Sequence, residues 1–532
     1  VTTGIPQPAS ARQDLRIGID VGGTNTDAVA LDTSSTPVAK AKVATTIDIT
    51  SGIRRALGEV LANPRVDATR VGHIMLGTTH ATNAVLQRRD LRRVAVIRIG
   101  APASVAVRPM FGWPEDLHQH VSVGSRIVRG GVELNGSDGV PFDADEVTRF
   151  CEEIAGKAEA VAISSVFAPV SPRHELLARD IVRRELGDIP LSLSHEIASL
   201  GLLERENATI INAALGHVAR KIVAAIEDAL ASFDLDHVVP YFTQNDGTLM
   251  SLDFTERTPV LTIGSGPANS LRGAAFLSDL SDALVIDIGG TSTDVGALVQ
   301  SFPRESTFGV EVGGVATNFR MPDLVSIAIG GGTIVRRAED GTVQLGPQSV
   351  GHDLLHCALT FGGDTPTLTD AAAVEGRARI GDRIPPDTSA SLLREALSRS
   401  DHELAEAVDR VKVARGDVPL VAVGGGSVLL PDALPGVSKI VRPDDYDVAN
   451  AIGAAIGTVS GQVDQIVEIG AGTGGRARVI EVARQAAIDN AVAAGAEPSA
   501  VEIVDIDEIP LTYLREPAIR LRVKAAGPLS NV

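Results

Sequence analysis

The chain has 532 residues, 44% of them hydrophobic, 22% charged and only 3% aromatic, with a formal net charge of −19. Its length exceeds one ordinary core and predicts two or three domains, with aliphatic interiors and, given 53 glycines, many glycine-dependent turns. The acidic balance excludes a nucleic-acid scaffold or an anionic membrane surface as partner, since either demands a broad basic face.

A phosphate ligand stays open, because backbone N–H groups hold phosphate in acidic proteins too. Two cysteines, Cys151 and Cys357, are too few for a disulfide framework or a four-cysteine zinc site. One bridge is compatible with them; two free thiols in a reducing cytoplasm are the expectation. No apolar run reaches membrane-spanning length, and residues 1–15 lack an apolar signal core and read as a flexible tail. These features predict a cytoplasmic protein.

In chain order, residues 15–30 run apolar, Gly-rich, apolar, which predicts strand, tight turn, strand. A helix over 53–61, a strand over 71–76, a helix opening within 78–87 and a strand over 94–99 follow. Residues 105–139 are turn-rich and hold the only tryptophan, Trp113. Helix 144–156, strand 160–167, helix 172–186 and strand 191–197 complete an α/β layer with a mixed sheet. Residues 204–233 are apolar at helical spacing and predict one long helix linking two halves. The second half restarts with a strand at 239–243, repeats strand–turn–strand over 284–299, and loops at Pro385 and Pro386. It closes with a strand over 419–427 and a helix over 447–457. A helix over 477–494 and strands at 501–504 and 519–523 read as an appended α/β region. The expected units are a tail (1–15), two halves (16–200 and 201–461) and the appended region (462–532).

The two strand–turn–strand elements share an octet. Asp20 to Asp27 reads DVGGTNTD, and Asp287 to Asp294, 267 residues further on, reads DIGGTSTD. Paired glycines let the chain turn sharply and approach a ligand closely, and the N–H groups of such a turn converge on an anion. Thr24, Asn25 and Thr26 add side-chain donors, while Asp20 and Asp287 close buried strands, where a carboxylate needs a partner. For a single copy, a structural hairpin satisfied by its threonines explains the pattern equally well. Two copies favour a site between two similar halves, each hairpin gripping one side of a polyphosphate. A third Gly-rich element, VGGGS over 423–427, follows a strand and offers bare backbone to a flat nucleoside.

This combination resembles the actin, sugar-kinase and heat-shock-chaperone ATPase superfamily. The resemblance implies two related ribonuclease-H-like α/β domains around a cleft that holds Mg²⁺ and ATP. It places Asp20 and Asp287 near the metal and makes them, with Thr24 and Thr291, the catalytic set. Phosphate contacts would come from Gly22, Gly23, Thr24, Asn25 and Thr26 on one side. Gly289, Gly290, Thr291 and Ser292 would supply the other, with Gly424, Gly425, Gly426 and Ser427 beside the nucleoside.

Four further motifs narrow the family: LGTTHATNAVLQRRDLRRVAVIR (76–98), IGSGPANS (263–270), LGPQSVG (345–351) and TLTDA (367–371). They are similar to the hydantoinase A/oxoprolinase family from about residue 16 to 461 and, more loosely, to the end. The resemblance implies ATP-dependent opening of a cyclic amide such as 5-oxoproline or a hydantoin, with relatives serving in ketone carboxylases. ATP is needed because amide resonance makes a poor electrophile; phosphorylating the amide oxygen gives an imidate phosphate that water attacks readily. Thr78, Thr79, His80 and Asn83 become the substrate contacts. Larger relatives often read HGTT and SGPAGG where this chain has Leu76 and SGPANS, and it resembles a compact branch whose remaining activity lies on a separate or fused hydrolytic partner.

Plainer roles stand beside these. Thr78, Thr79 and Asn83 suit a helix start, and His80 suits a hydrogen-bonded structural position as well as a base or substrate contact. His195 and Glu196 form an acid–base pair or simple structure; Ser265 and Pro267 form a phosphate-facing turn or a helix start; His352 and Cys357 lack metal spacing. Two other functions fit the octets: a sugar-type kinase releasing a stable phosphate ester, and an actin- or chaperone-like ATP switch acting on a protein partner. An oligomer is compatible with each.

Overall fold

The computed structural model describes residues 14–45, 48–198, 200–306, 309–319, 321–383, 385, 387–469, 475–511 and 518–530. Most of the expected tail, and Pro386, lie outside the described residues.

The octet repeat is part of a larger repeat. One sheet has the core order Pro37–Ala44, Asn25–Leu31, Leu15–Val21, Val71–Thr78, Val239–Thr243. The first two pairings are antiparallel, and Leu15–Val21, Val71–Thr78 and Val239–Thr243 run parallel. A second sheet has the order Phe302–Pro303, Thr293–Val299, Ala283–Ile288, Val418–Val423, Val437–Val441, with the same alternation of senses. The twofold 3-2-1-4-5 order is the ribonuclease-H-like arrangement, so the chain has the expected two-part, actin-like ATPase fold.

Two helices lie between the sheets. Ser265–Ser278 packs mainly on the second sheet and Ala449–Ala455 on the first, and they cross each other. The crossing needs glycine: a Cβ on Gly273 would fall 1.8 Å from the Ala449 carbonyl oxygen, and one on Gly453 1.9 Å from that of Asn269. Gly18, on the strand beneath, is held likewise against the Ala451 carbonyl. The small residues of SGPANSLRG and VANAIGAAIG thus bring backbones into direct contact and fix how the halves meet.

Within the first half sits a separate parallel sheet, ordered Ser122–Arg129, Val94–Ala101, Ala160–Ser165, Leu191–Leu193. Helix Ala144–Ile154 shows how its layers form: Asp143 caps the Glu146 N–H at 2.9 Å, and Val147, Phe150, Cys151 and Ile154 are buried at helical spacing.

Several expectations need correction. The helix over 204–233 is two, Leu202–Ala214 and Gly216–Ala231, bent by 50°. The break falls where Arg92 fills the place of a side chain at Gly216, and where the Arg92 N–H bonds the Ala214 carbonyl (2.8 Å). The strand over 191–197 stops at Leu193, because the Glu175 carboxylate takes the Ser194 hydroxyl (2.5 Å) and the His195 N–H (3.1 Å) and curls the chain into a short helix. Residues 105–139 contain helix Glu115–Val121 and strand Ser122–Arg129, an edge strand whose polar positions hide its periodicity. Boundaries at 200/201 and 461/462 do not follow the sheets. Val239–Thr243 is the fifth strand of the first sheet, and Thr248–Ser251, Thr458–Glu468, Ala518–Gly527 and Glu502–Pro510 extend that same sheet. Apolar alternation announces a strand without saying which neighbour it joins.

Candidate active site

Each octet forms its turn in the same way. Gly22 N–H donates to the Asn25 carbonyl (3.0 Å), and Gly289 N–H to the Ser292 carbonyl (2.9 Å). Outside groups orient the turn peptides. Thr45 donates its N–H to the Thr24 carbonyl and its hydroxyl to the Gly22 carbonyl, both at 2.9 Å. In the second turn, Gly331 and Gly332 donate to the Gly289 and Gly290 carbonyls at 3.0 and 2.7 Å. A Cβ on Gly330 would fall 2.6 Å from the Thr291 nitrogen, so that backing strip must be bare. The tips meet: a Cβ on Gly290 would lie 2.8 Å from Thr24 Oγ1.

The third Gly element joins them. Gly424 has φ +83°, and its missing Cβ would stand 2.2 Å from Asp287 Oδ1; Gly426 N–H donates to the Ile288 carbonyl at 2.7 Å. Gly425 has open space beside it, and Ser427 is buried at the start of a short helical turn. Gly23, Thr291 and Ser292 are exposed, whereas Thr26 is fully buried with its hydroxyl 3.3 Å from that of Thr45.

The register places Asp20 opposite Asp27 and Asp287 opposite Asp294. Neighbouring residues of one helix reach a carboxylate in each half: Asn269 Nδ2 donates to Asp20 Oδ1 (3.4 Å) and Ser270 Oγ to Asp287 Oδ2 (2.5 Å). Asn450 Nδ2 bridges Asp20 Oδ2 (2.9 Å) and Asp27 Oδ2 (3.1 Å), and Lys42 holds Asp27 Oδ1 at 2.6 Å. Burial, then the Asp27 and Asp287 charges, pushes the Asp20 carboxyl up to about 7 against its two amide donors. Burial raises Asp287 against the Ser270 hydroxyl, and takes Asp294 to about 6.

This excess of crowded negative charge fits a cation brought by an anionic ligand. Among the described residues no group of three or more His, Cys, Asp or Glu side chains could hold a metal alone. The pair suits an ion that keeps water and phosphate oxygens in its shell, as Mg²⁺ does.

The GTT segment borders the first hairpin. Asp20 pairs with Gly77 and Val21 with Thr78, and the Thr79 N–H and hydroxyl both approach the Val21 carbonyl at 3.3 Å. Thr78 is buried and exchanges bonds with Ser265: its N–H donates to Ser265 Oγ (3.3 Å), which donates to its carbonyl (3.0 Å). His80 opens helix His80–Gln87 with Nδ1 2.7 Å from Thr78 Oγ1, and Asn83 lies a turn further, its Nδ2 3.4 Å from Thr79 Oγ1. His195 pairs through Nδ1 with buried Glu175 (2.6 Å), with Glu196 4.0 Å from its other nitrogen.

Asn450, Lys42 and Gly330–Gly332 escaped sequence reasoning. A second glycine triplet was visible at 330–332; nothing local marks Asn450, 430 residues from Asp20, as its partner.

The chain matches the hydantoinase/oxoprolinase N-terminal region over residues 16–186 and the hydantoinase/oxoprolinase profile over 205–399. It is 26% identical over 470 residues to caprolactamase subunit alpha of Pseudomonas jessenii, covering 78% of this chain and 66% of that one. It is 27% identical over 402 residues to the acetophenone carboxylase gamma subunit of Aromatoleum aromaticum, covering 70% and 54%. With 5-oxoprolinase of Saccharomyces cerevisiae the match is 26% over 420 residues, covering 68% and 32%. The chain thus spans about a third to two thirds of these relatives' lengths. Among solved structures, the P. jessenii ATP-dependent caprolactamase superposes with TM-score 0.73 at 18% identity, and nucleotide-free acetone carboxylase with 0.72 at 17%; each match covers 97% of this chain and 88% of the other. Two profiles spanning both halves, on a fold with both octets in place, make this chain a member of the hydantoinase/oxoprolinase family.

Proposed function

We propose that the chain is the ATP-using part of an ATP-dependent amidohydrolase that phosphorylates the carbonyl oxygen of a cyclic amide and so allows ring opening. The observation that carries it is the meeting of the two octet turns, with Asp20 and Asp287 held by adjacent residues of one helix. Similarity to a caprolactamase subunit and to a 5-oxoprolinase supports the substrate class. The turn N–H groups hold the phosphates, and the Thr24 and Thr291 side chains flank the reacting phosphoryl group. Mg²⁺, when bound, neutralises charge on the phosphates, and Asp20 and Asp287 hold its shell. Thr78, Thr79, His80 and Asn83 line the substrate side. Similarity to relatives named as subunits, of which the chain spans only part, supports a second, hydrolytic partner; we place both in the cytoplasm.

The test is ATP turnover with 5-oxoproline, hydantoins and lactams, with product analysis. Asp20→Asn and Asp287→Asn each abolish Mg·ATP-dependent turnover. The Asp20→Asn protein stays folded, because the amide replaces a buried carboxyl pushed to about 7, at the cost of one of the two hydrogen bonds from Asn269 and Asn450. Wild-type turnover in both variants overturns the site. A stable phosphate ester in place of ring-opened acid overturns the hydrolase in favour of a kinase.

A further inference from the structure

His80 opens the helix that follows the strand beside the first octet turn. Its helix begins two residues beyond Thr78, which pairs with Val21 at the edge of the first phosphate turn. The helix that carries Asn269 and Ser270 begins at the same corner: Ser265 clasps the Thr78 backbone, and bare Gly266 faces Thr79, whose Cγ2 would be 3.3 Å from an added Cβ. Two helix N-termini therefore converge beside Asp20. A second, independent feature is Asn269, fully buried there with its Oδ1 lacking a hydrogen-bond partner.

The imidazole is held by one edge. Thr78 Oγ1 accepts the His80 backbone N–H (3.2 Å) and lies 2.7 Å from Nδ1. With Nδ1–H donating to that oxygen, Nε2 keeps its lone pair, and among the described residues no hydrogen bond engages it. The ring is half-buried, and burial holds it neutral by lowering its proton affinity.

We infer that His80, through Nε2, accepts the proton that the substrate loses from the nitrogen beside its carbonyl carbon as the carbonyl oxygen is phosphorylated. This deepens the proposed function and rests on it. The carbonyl oxygen forms a bond to the γ-phosphorus of ATP, and the bridging bond to ADP breaks with its electron pair leaving on ADP. Loss of carbonyl electron density acidifies the neighbouring N–H; its bonding pair becomes the C=N π bond, and the proton moves to Nε2. The products are imidate phosphate, ADP and protonated His80. The site therefore selects amides that carry an N–H next to the carbonyl, and it rejects N-substituted amides.

The experiment measures ADP release from Mg·ATP by the full chain with δ-valerolactam and with N-methyl-δ-valerolactam, in wild type and His80→Asn. Asparagine keeps an amide near the Nδ1 position and nothing at Nε2. The expected result is release stimulated by the N–H lactam and not by its N-methyl form. In H80N, kcat falls about 10²- to 10⁴-fold, with KM for the lactam, ATP affinity and melting temperature retained, and imidazole added to His80→Gly restores part of the rate. Equal stimulation of wild type by both lactams overturns the inference and leaves the proposed function standing, as does a wild-type kcat in H80N. A wild type that ignores every cyclic amide with an N–H overturns both.

Discussion

Replacing Gly453 by Ala tests whether the crossing of the two central helices sets the geometry of the site. The added Cβ would lie 1.9 Å from the Asn269 carbonyl oxygen and 2.9 Å from the Gly273 nitrogen, against an ordinary contact of at least 3.4 Å. Both obstacles are backbone, so no rotamer relieves them, and the helices must part by about 1.5 Å. Overpacking of this kind costs about 1–3 kcal/mol. The displaced residue is Asn269 itself, whose 3.4 Å bond to Asp20 is already long and does not survive the shift, adding about 1 kcal/mol. A total of about 2–4 kcal/mol, spread over the unfolding entropy of a chain this long, corresponds to a fall of roughly 2–4 °C in Tm. Because Ser270 moves with Asn269, each carboxylate loses its donor from that helix, and a misplacement of about 1 Å reduces turnover on the order of 100-fold. The assay is thermal unfolding together with ATP turnover for Gly453→Ala, with Gly425→Ala, which has no neighbour within 4 Å, as the stability control. A Gly453→Ala protein that melts with wild type and turns over ATP at its rate would refute the reasoning.

Two other predictions concern the first sheet. Burial, and then the Arg16 charge, takes His73 from 6.5 to about 4 in the folded protein. The unfolded chain binds the proton more readily, so about 3 kcal/mol of stability is present above pH 6.5 and lost as pH falls towards 4; His73→Leu flattens the stability-versus-pH curve across that window, and an unchanged slope in chemical denaturation contradicts the assignment. Lys524 bonds Asp246 at 2.6 Å, with both nearly buried, and holds that carboxyl near 2 although burial alone would raise it. Lys524→Met strands the buried charge and costs about 3–5 kcal/mol; the Lys524→Met/Asp246→Asn double variant recovers part of that in urea unfolding, and no recovery counts against the pair.

Local chemistry made the central elements legible. The octets and the VGGGS strand end carry their turns in their own glycines, and the apolar runs beside them have nowhere to go but a core, so both hairpins and the third Gly element stand where the pattern puts them. The GTT segment was readable for the same reason, a strand giving way to a helix start. Errors came where a distant group decides: Arg92 breaks the long helix at Gly216, and Glu175 curls Ser194 out of its strand.

What the sequence by itself determined is therefore the twofold repeat, the residue types that turn the chain around an anion, and the family. Only the tertiary structure decided which sheet each later strand joins, and that Asn269, Ser270 and Asn450 are the groups on the carboxylates. The reason is range. Turn chemistry acts over a few residues and is written in them, whereas a hydrogen bond between Asn450 and Asp20 depends on how closely two glycine-bearing helices approach, which no local pattern encodes.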